Sequence, residues 1–313
     1  MDHEFNELYN RLKKNLKQRK KLKSKTQAFR LYDKDLPQFP FIIDIYHLTA
    51  VIYEKGKKPD FKDSEFMAKR EYHLSLVKKS LEELFPDSKQ VFKTRMIQKG
   101  KNQYKVLADN KNFFVVKECG RIYLINPLDY LDCGLFLDHR PLRELIASKN
   151  LKDKKVLNLF SYTGSISVAA AMAQANVTSV DLSKTYIQWS KENFLANQID
   201  PQLHQFVIQD SIEYLNNKTE DRFELIIIDP PTFSNSKKLD SDFSVQDQHE
   251  YLILKASERL TKSGTIYFSN NFRKFKMSYY LAENFIVKDI SHLTIPEDFR
   301  DKKIHQCFEI KLK

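Results

Sequence analysis

The sequence predicts an α/β fold with two domains: a smaller N-terminal α+β domain that starts with a basic helix, and a larger domain built on a Rossmann-like parallel sheet. The chain of 313 residues has room for two domains and a sizeable core. From residue 156 onward, short apolar runs alternate with helical patterns, which is typical of right-handed βαβ units. The runs end in turn residues, as expected of strands buried on both faces of a parallel sheet.

The first segment, residues 1–28, is expected to form a basic helix. Nine Lys or Arg and no acid lie between residues 11 and 25, in a chain of net charge +11. Leu8, Leu12 and Leu16 recur at helical spacing, which gives this helix a thin apolar stripe. We expect the block to bind nucleic acid, because a membrane-surface helix would need a broader apolar face with Trp or Phe. The alternative is a solvated arm with no partner.

Residues 29–130 are expected to form a compact α+β module. A linker punctuated by prolines is predicted at residues 29–40. A helix is predicted over residues 62–85, with Asp63 or Ser64 as its cap and Pro86 ending it. Phe66, Val77 and Leu81 recur at helical spacing and are expected on its apolar face. Strands are predicted at residues 41–46, 48–53, 91–94, 113–117 and 122–125.

Residues 131–313 are expected to form the larger domain. Asp138 is predicted to cap a helix that runs to about Ser148. Two further strands are predicted at residues 285–293 and 306–311. The alternating region is predicted to contain strands at residues 156–160, 177–181, 205–209, 224–229 and 264–269, with helices at residues 165–175, 184–197, 211–217 and 246–261.

The composition disfavours several classes of protein. No run of 18 apolar residues exists, so no membrane-spanning helix is expected. The N-terminal residues lack the apolar segment of a secretory signal. The three cysteines are far apart and lack CxxC spacing, so neither a disulfide framework nor a metal site is expected. The reducing cytoplasm is the simplest localisation.

The first turn between a strand and a helix, SYTGS at residues 161–165, is a candidate ligand site. A glycine there lets a ligand approach the backbone, and the helix N-terminus offers free N–H groups. The pattern GxGxxG is absent and only Gly164 remains, which disfavours a pyrophosphate-containing cofactor and therefore a nicotinamide dehydrogenase. The alternative is a glycine needed only for tight packing.

Carboxylates end the next strands at the same edge of the predicted sheet. Asp181 ends the second strand, where it can accept hydrogen bonds from ribose hydroxyls. Asp210 ends the third strand, where it can accept from an adenine amino group or cap the following helix. Because parallel strands share one carboxyl edge, Gly164, both acids and Asp229 are expected to line one crevice.

The turn after the fourth strand, DPPTF at residues 229–233, gives the sharpest signal. Its two prolines make the turn rigid, which would hold Asp229 toward the crevice. Phe233 is placed to stack on an unstacked base. The polar and basic loop at residues 234–238 supplies donors for a phosphate backbone. The alternative is a plain turn after a core strand.

Two other segments bear on the substrate. Residues 95–104 are basic with one aromatic, which indicates either a second nucleic-acid contact or a solvated loop. The fifth strand ends in Ser-Asn-Asn at residues 269–271, so no cysteine nucleophile occupies that position. The expected substrate-binding residues are Phe233, Asn235, Lys237, Asn270, Lys99 and Lys101.

These segments resemble class I S-adenosylmethionine-dependent methyltransferases, and more closely the guanine-N7 methyltransferase half of the bifunctional bacterial 23S rRNA methyltransferases. The resemblance covers nearly the whole chain and rests on five motifs in order: KTRMIQKGKNQY, GLFLDHR, NLFSYTGS, DPPTFSNSKK and FSNN. It implies a seven-stranded class I methyltransferase sheet with an antiparallel last strand in residues 131–313. It also implies S-adenosylmethionine as the cofactor and 23S rRNA or a pre-ribosomal particle as the partner.

The resemblance further implies roles for individual residues. Residues 160–164 would surround the methionine part of the cofactor, and residues 136–140 would close the site. Asp229 and Pro230 would lie near the transferable methyl group. No metal is expected. The full expected cofactor-binding set is Phe136, Asp138, His139, Arg140, Phe160, Ser161, Tyr162, Thr163, Gly164, Asp181, Leu182, Ser183, Asp210, Ser211, Asp229 and Pro230.

Methylation of guanine N7 fits this set of residues. N7 has an in-plane lone pair and no proton, so its attack on a sulfonium methyl needs no general base and catalysis can be mostly alignment. Asp229, the expected catalytic residue, can stabilise the positive charge that the purine gains. The alternatives are another RNA target, N2 of guanine or C5 of cytosine, and a non-catalytic RNA-binding assembly factor.

The sequence departs from the bifunctional proteins in what precedes this half, and it also differs from a related family of cytosine-C5 methyltransferases. A THUMP module and an N2-guanine methyltransferase precede this half in the bifunctional proteins, and neither has a counterpart in this sequence. N2 methylation is therefore not implied. Related cytosine-C5 methyltransferases share the FLD-R segment but use a cysteine after the fifth strand, for which Cys133 is the only nearby substitute.

Overall fold

The structure is a computed structural model that describes residues 3–55, 63–94, 112–234 and 243–313. The chain divides into two compact units. The first contains Met1–Leu137 and Asp298–Arg300, and the second contains Asp138–Glu297 and Asp301–Lys313. The predicted boundaries at residues 28 and 130 stay predictions. Among the described residues, no helix has both the length and the apolar content needed to cross a membrane.

The first unit combines a small mixed sheet with three helices and a separate hairpin. Its described elements are α1 (His3–Gln18), α2 (Lys20–Lys23), β1 (Ala28–Asp33), β2 (Phe41–Tyr46), β3 (Thr49–Glu54), α3 (Ser64–Leu84), β4 (Lys89–Thr94), β5 (Phe114–Glu118) and β6 (Arg121–Ile125). The sheet has the order β1-β2-β3-β4, in which only the β3–β4 pair is parallel. Strands β5 and β6 pair with each other. The five predicted strands of this region are confirmed.

The prediction of a linker at residues 29–40 is wrong, because β1 occupies its first half and is largely buried. The sequence pattern does not indicate this strand, because the strand contains the charged residues Arg30 and Asp33. Arg30 donates from Nε to Asp44 Oδ1 on β2 at 2.8 Å, and the Arg30 guanidinium lies over the Phe299 ring at 4.0 Å. Pairing of the two charges lets both side chains be buried between the strands.

Helix α1 packs its apolar face into the core of the first unit. Phe5, Leu8 and Leu12 are buried there, which confirms the predicted apolar stripe. The next position on that face, Asn15, donates to Leu31 O at 3.0 Å. The alternative of a solvated arm is therefore wrong for α1. The chain turns at Arg19, so the predicted single helix is two helices.

Helix α3 follows the prediction at its ends and departs from it on one face. The Asp63 carboxylate accepts a hydrogen bond from Phe66 N at 2.9 Å, so Asp63 is the N-cap. Phe66, expected on the apolar face, is exposed, whereas His73 and Ser80 are buried with Val77 and Leu81.

The second unit is a doubly wound α/β domain. Its described elements are α4 (Arg140–Ala147), β7 (Lys155–Leu159), α5 (Ser165–Met172), β8 (Asn176–Asp181), α6 (Lys184–Ala196), β9 (Gln205–Ile208), α7 (Ser211–Asn216), β10 (Phe223–Ile228), β11 (Phe233–Ser234), β12 (Phe243–Ser244), α8 (Val245–Ser257), β13 (Leu260–Asn270), α9 (Tyr279–Asn284), β14 (Phe285–Asp289), α10 (Ser291–Thr294) and β15 (Gln306–Leu312).

Seven of these strands form one sheet in the order β14-β15-β13-β10-β7-β8-β9. Strands β13, β10, β7, β8 and β9 are mutually parallel, and β15 runs antiparallel to both of its neighbours. The predicted seven-stranded sheet with an antiparallel last strand is confirmed. Its central strand β10 is apolar on both faces toward its carboxyl end, with four consecutive buried residues ending at Ile228.

Three element predictions in this unit are wrong. The strand predicted at residues 285–293 ends at Asp289, and residues Ser291–Thr294 form α10 instead. Helix α8 ends at Ser257 rather than at residue 261, because Leu260 already pairs with Phe223 in the sheet. The N-cap of α4 is His139 rather than Asp138. The Asp138 carboxylate instead faces His305, with Oδ2 at 3.1 Å from Nδ1.

Replacing Leu12 by alanine tests whether α1 is a structural part of the first unit. The side chain is fully buried, so its truncation is expected to cost about 2–5 kcal/mol. Lys14→Ala, on the exposed face of the same helix, should change stability by less than about 0.5 kcal/mol. Amide hydrogen exchange in peptides from β1 and β2 reports the difference. Equal exchange in both variants would show that α1 does not stabilise the sheet.

Candidate active site

The predicted site residues lie at one edge of the second unit's sheet. Strands β7, β8 and β9 extend the sheet in one direction, and β10 and β13 extend it in the other. The switch between these directions lies between β7 and β10, which is where ligands bind in open α/β sheets. The turn at residues 160–164 follows β7, and Asp229 follows β10. The structure therefore brings these two predicted segments to neighbouring strand ends.

The turn after β7 is strained. Phe160, Tyr162 and Gly164 have φ angles of 54°, 49° and 70°, in the left-handed region. A bulky residue in that conformation costs about 1–3 kcal/mol. Two hydrogen bonds keep the turn in this strained conformation. Phe160 N donates to Ser211 Oγ at 3.1 Å, and Tyr162 N donates to Asp181 Oδ2 at 2.8 Å. Backbone strain held by its surroundings is characteristic of ligand sites.

Gly164 has a packing reason as well as a conformational one. It is the N-cap of α5, and a Cβ atom at this position would lie 1.9 Å from the Oγ of Ser190 on α6. Close packing of α6 against the turn therefore requires glycine. The sequence-based reason, access for a ligand, stays a prediction, whereas the packing alternative has direct support in the structure.

Asp181 connects the ends of β7 and β8. Its carboxylate accepts from Tyr162 N through Oδ2 and from Ser183 N, at 2.9 Å, through Oδ1. Burial raises the pKa of Asp181, and these two backbone hydrogen bonds oppose the rise. Each oxygen retains a second lone pair, so the carboxylate can also accept from ribose hydroxyls. The ribose role stays a prediction.

Asp210 is a helix cap, as the alternative interpretation held. Its Oδ1 accepts from Ile212 N at 2.8 Å and from Glu213 N at 3.2 Å at the start of α7. The neighbouring Ser211 holds the strained turn through its contact with Phe160 N. A role for Asp210 beside adenine stays a prediction, because capping alone explains an acid at this position.

Asp229 follows the buried strand β10 and retains 24% exposure of its side chain. Strand register places it beside the end of β13, because Ile228 pairs with Phe268 and Ser269 is next. His139 Nδ1 lies 3.5 Å from Asp229 Oδ2, and His139 Nε2 lies 3.3 Å from Ser269 Oγ. Burial raises the pKa of Asp229, and the nearby His139, His305 and Ser269 oppose that rise.

A further group of polar residues, Asp138, His305 and Thr294, lies next to His139. His305 Nδ1 faces Asp138 Oδ2 at 3.1 Å, and its Nε2 faces Thr294 Oγ1 at 3.0 Å. The rings of His139 and His305 meet edge to face, with centroids 5.0 Å apart. Sequence analysis missed His305 and Thr294, because they lie more than 150 residues from Asp138 and end no parallel strand.

Asp138, His139 and His305 each place one metal-ligating atom within 4.8 Å of the others. Both ring nitrogens of His305 nevertheless have hydrogen-bond partners, and His139 Nε2 lies near Ser269. We therefore interpret the group as a hydrogen-bonded cluster.

Some of the other predicted residues lie within the described ranges, and four lie outside them. Phe233 is 63% exposed beside Phe272, with ring centroids 5.8 Å apart. Asn270 is buried, and its Oδ1 accepts from Phe272 N at 3.1 Å. Phe136 belongs to the first unit, so its place at the cofactor stays a prediction. The predicted residues that lie outside the described ranges are Lys99, Lys101, Asn235 and Lys237.

The sheet order, with one reversed strand, and the site at its switch point define a class I methyltransferase fold. Residues 109–299 match the family described as S-adenosylmethionine-dependent methyltransferase. The solved structure of SMU.776, crystallised in complex with SAH, superposes with a TM-score of 0.78 at 26% identity, covering 98% of this chain and 82% of that one. These findings confirm the predicted fold class and S-adenosylmethionine as the cofactor of the family.

Two curated relatives identify the family more closely. Ribosomal RNA large subunit methyltransferase K of Neisseria meningitidis serogroup B is 40% identical over 97% of this chain and 86% of its own length. Ribosomal RNA large subunit methyltransferase K/L of Psychromonas ingrahamii is 46% identical over 96% of this chain. The chain spans 40% of that K/L protein. The chain belongs to the family of large-subunit rRNA methyltransferases K and K/L, which confirms the resemblance.

Replacing Gly164 by alanine should destabilise the second unit. The left-handed backbone adds about 1–2 kcal/mol and overpacking against Ser190 adds about 1–3 kcal/mol. Urea unfolding followed by the fluorescence of Trp189, the only tryptophan and a buried neighbour of Ser190, measures the cost. Ser190→Ala is the matched control, and adding it to Gly164→Ala should recover part of the loss. Full stability of Gly164→Ala would contradict the tight contact.

Proposed function

We propose that the chain transfers a methyl group from S-adenosylmethionine to N7 of a guanine in 23S rRNA, in the cytoplasm. The observation that carries the proposal is the match to the methyltransferase K of Neisseria meningitidis, which extends over 86% of that protein. A match of this extent includes the first unit as well as the sheet. The geometry at the ends of β7 and β10 supports the same reaction.

The proposed cofactor site fits a nucleoside with an amino-acid tail. Ser161 Oγ is buried and has no hydrogen-bond partner among the described residues, so it can bind a polar ligand group. Asp181 presents a carboxylate one strand away, suited to ribose hydroxyls. We assign Phe160 and Gly164 to the methionine part and Asp210 to the adenine side. We place Asp138, His139 and Arg140 against the same ligand, as the resemblance implies.

The proposed chemistry needs alignment more than proton transfer. S-adenosylmethionine, when bound, supplies an electrophilic methyl group on a sulfonium. Guanine N7 offers a lone pair and loses no proton, so the residues at β10 need only hold the base in line. The purine becomes cationic as the bond forms. The Asp229 carboxylate, fixed by the turn of two prolines, would stabilise that charge.

The cysteine chemistry of the C5-cytosine alternative has little support. Cys133 is buried and lies 3.2 Å from the Tyr53 hydroxyl. Burial raises the pKa of the Cys133 thiol, and it also raises that of Cys307. The nucleophile in such chemistry is the thiolate, which a raised pKa disfavours. N2 methylation of guanine and a non-catalytic role remain the alternatives to be tested.

The first unit presents a basic surface that suits the RNA backbone. Because α1 and α2 turn their apolar residues inward, seven lysines between residues 13 and 25 are exposed. Four of them line a surface groove of about 330 Å³ together with Leu16. The four are Lys13, Lys17, Lys20 and Lys23. We propose that this groove neutralises phosphates of the RNA.

Nucleoside mass spectrometry tests the proposed product. Digested 23S rRNA that has been incubated with the protein and S-adenosylmethionine should contain 7-methylguanosine. N2-methylguanosine or 5-methylcytidine in its place would overturn the N7 assignment. Isothermal calorimetry with S-adenosylmethionine separates the non-catalytic alternative, because absence of binding would favour it.

Replacing Asp229 by asparagine keeps the shape of the side chain and removes its charge. We expect kcat to fall by about 10²-fold or more, the usual loss when one stabilising group is removed. Affinity for RNA should change little. Asp247→Asn, at an exposed carboxylate on α8, is the control. Equal losses of turnover and of RNA binding would argue against the assignment.

The dependence of RNA binding on salt tests the groove. Because α1 belongs to the core, substitution is preferable to deletion. Replacing the four groove lysines with glutamine should lower the slope of log K against log salt by about 3, given about 0.7–0.9 per phosphate. The matched control replaces four exposed lysines of the second unit, near the amino ends of its parallel strands: Lys152, Lys154, Lys218 and Lys262. Equal slopes in the two variants would exclude the groove.

A further inference from the structure

A basic loop follows β13 and adjoins the turn after β10. Its residues 272–278 read FRKFKMS, with three basic side chains and no acid. The Phe272 ring meets the Phe233 ring edge to face, with centroids 5.8 Å apart. Just before the loop, Asn271 Oδ1 accepts from the Thr232 hydroxyl. The loop therefore lies beside the aromatic ring at which the target base is expected to stack.

Contacts with the core and with α8 fix the 272–278 loop in place. Phe275 is 6% exposed and belongs to the core cluster of the sheet. Lys276 N donates to Gln246 Oε1 at 2.9 Å, and Gln246 Nε2 donates to Lys276 O at 3.0 Å. Ser278 N donates to His249 Nε2 at 2.9 Å. A loop that is already ordered pays less entropy when a partner binds its side chains.

Two lysines of this loop are available for an anionic partner. Lys274 and Lys276 flank the buried Phe275 and are exposed. Arg273 is paired with Asp301, whereas neither lysine has an ion-pair partner within the part of the chain that the structure describes. Exposed lysines held by a fixed backbone suit phosphate groups, which receive most of the contacts at protein–nucleic acid interfaces.

The neighbouring aromatic ring favours RNA over an acidic protein as the partner. Phe233 is 63% exposed and lies against Phe272 at the start of the loop. Unstacked bases bind on aromatic side chains, and basic residues beside such a ring follow the strand's phosphates. An acidic protein surface would use the lysines and leave this ring without a partner.

We propose that the 272–278 loop binds the RNA backbone next to the methylated guanine, with Lys274 and Lys276 each contacting a phosphate. The inference rests on the proposed function, because it takes RNA as the substrate and Phe233 as the place of the base. A base that leaves its stack for the crevice brings its flanking phosphates to the rim of the site. The loop extends the substrate surface of the second unit beyond the residues expected from the sequence.

Replacing Lys274 and Lys276 together by glutamine removes both charges and keeps the length of the side chains nearly the same. The KM for 23S rRNA in about 0.15 M salt should rise about tenfold, and the slope of log(1/KM) against log salt should fall by about 1.5. The value of kcat at saturating RNA should not change, because the lysines contribute binding and do not touch the reacting atoms.

The matched control is Lys152→Gln with Lys154→Gln, at two exposed lysines in the segment before β7. It loses the same charge and should keep the KM and the slope of the wild type. Equal effects in the two double variants would overturn the proposal. A wild-type KM in the Lys274 and Lys276 variant, or a fall in kcat with KM unchanged, would overturn it as well.

A second measurement uses the unmodified protein and does not depend on the reaction. Acetylation of lysines by an activated ester, read by peptide mass spectrometry, reports which amino groups the bound RNA covers. Bound 23S rRNA should protect Lys274 and Lys276 several-fold and leave Lys152 and Lys154 reactive. Polyglutamate at the same charge concentration should protect the loop less, and equal protection by it would overturn the assignment to RNA.

The two measurements separate this inference from the identity of the product. Unprotected lysines at positions 274 and 276 would overturn the inference even if 7-methylguanosine is formed. Protection by RNA together with another methylated product would leave the role of the loop intact and refute the N7 assignment.

Discussion

Partial burial of the Asp229 carboxylate at the edge of a parallel sheet is the constraint on which the rest of the site depends. The four residues that precede it in β10, Leu225 to Ile228, are apolar, so this part of the strand offers the charge no polar partner. Partners come from other elements: Ser269 from the end of β13, and His139 from the segment before α4. Without them, burial would favour the neutral acid.

In the turn after β7, the other half of the site, the constraint is backbone strain rather than a partly buried charge. Left-handed residues in the turn after β7 are held by Asp181 and Ser211, each from a different strand end. The close approach of Ser190 to Gly164 ties this turn to α6. A turn fixed from several directions can bind a ligand without first being ordered, which reduces the entropy cost of binding. The arrangement suits a reaction whose main requirement is alignment.

Much of the second unit could be predicted, because its signals are local. Alternating apolar runs and helical patterns gave the strands, and strand order then placed Gly164, Asp181 and Asp229 at one edge. The errors came where long-range contacts decide. Strand β1 is paired through Arg30 and Asp44, which a linear pattern does not reveal. Asp138 looked like a cap because its partner, His305, lies 167 residues away. The resemblance implied a place for His139 at the cofactor site. The structure adds a contact that sequence reasoning did not reveal, because Ser269 Oγ lies near His139 Nε2.

The central claim is that one crevice, between the ends of β7 and β10, holds the methyl donor facing Asp229. A crystal structure with S-adenosylmethionine tests it most directly. The ribose should lie against Asp181, the methionine part along the turn at residues 160–164, and the sulfonium methyl next to Asp229 and Pro230. A cofactor bound elsewhere, or a crevice closed by its own side chains, would contradict the claim.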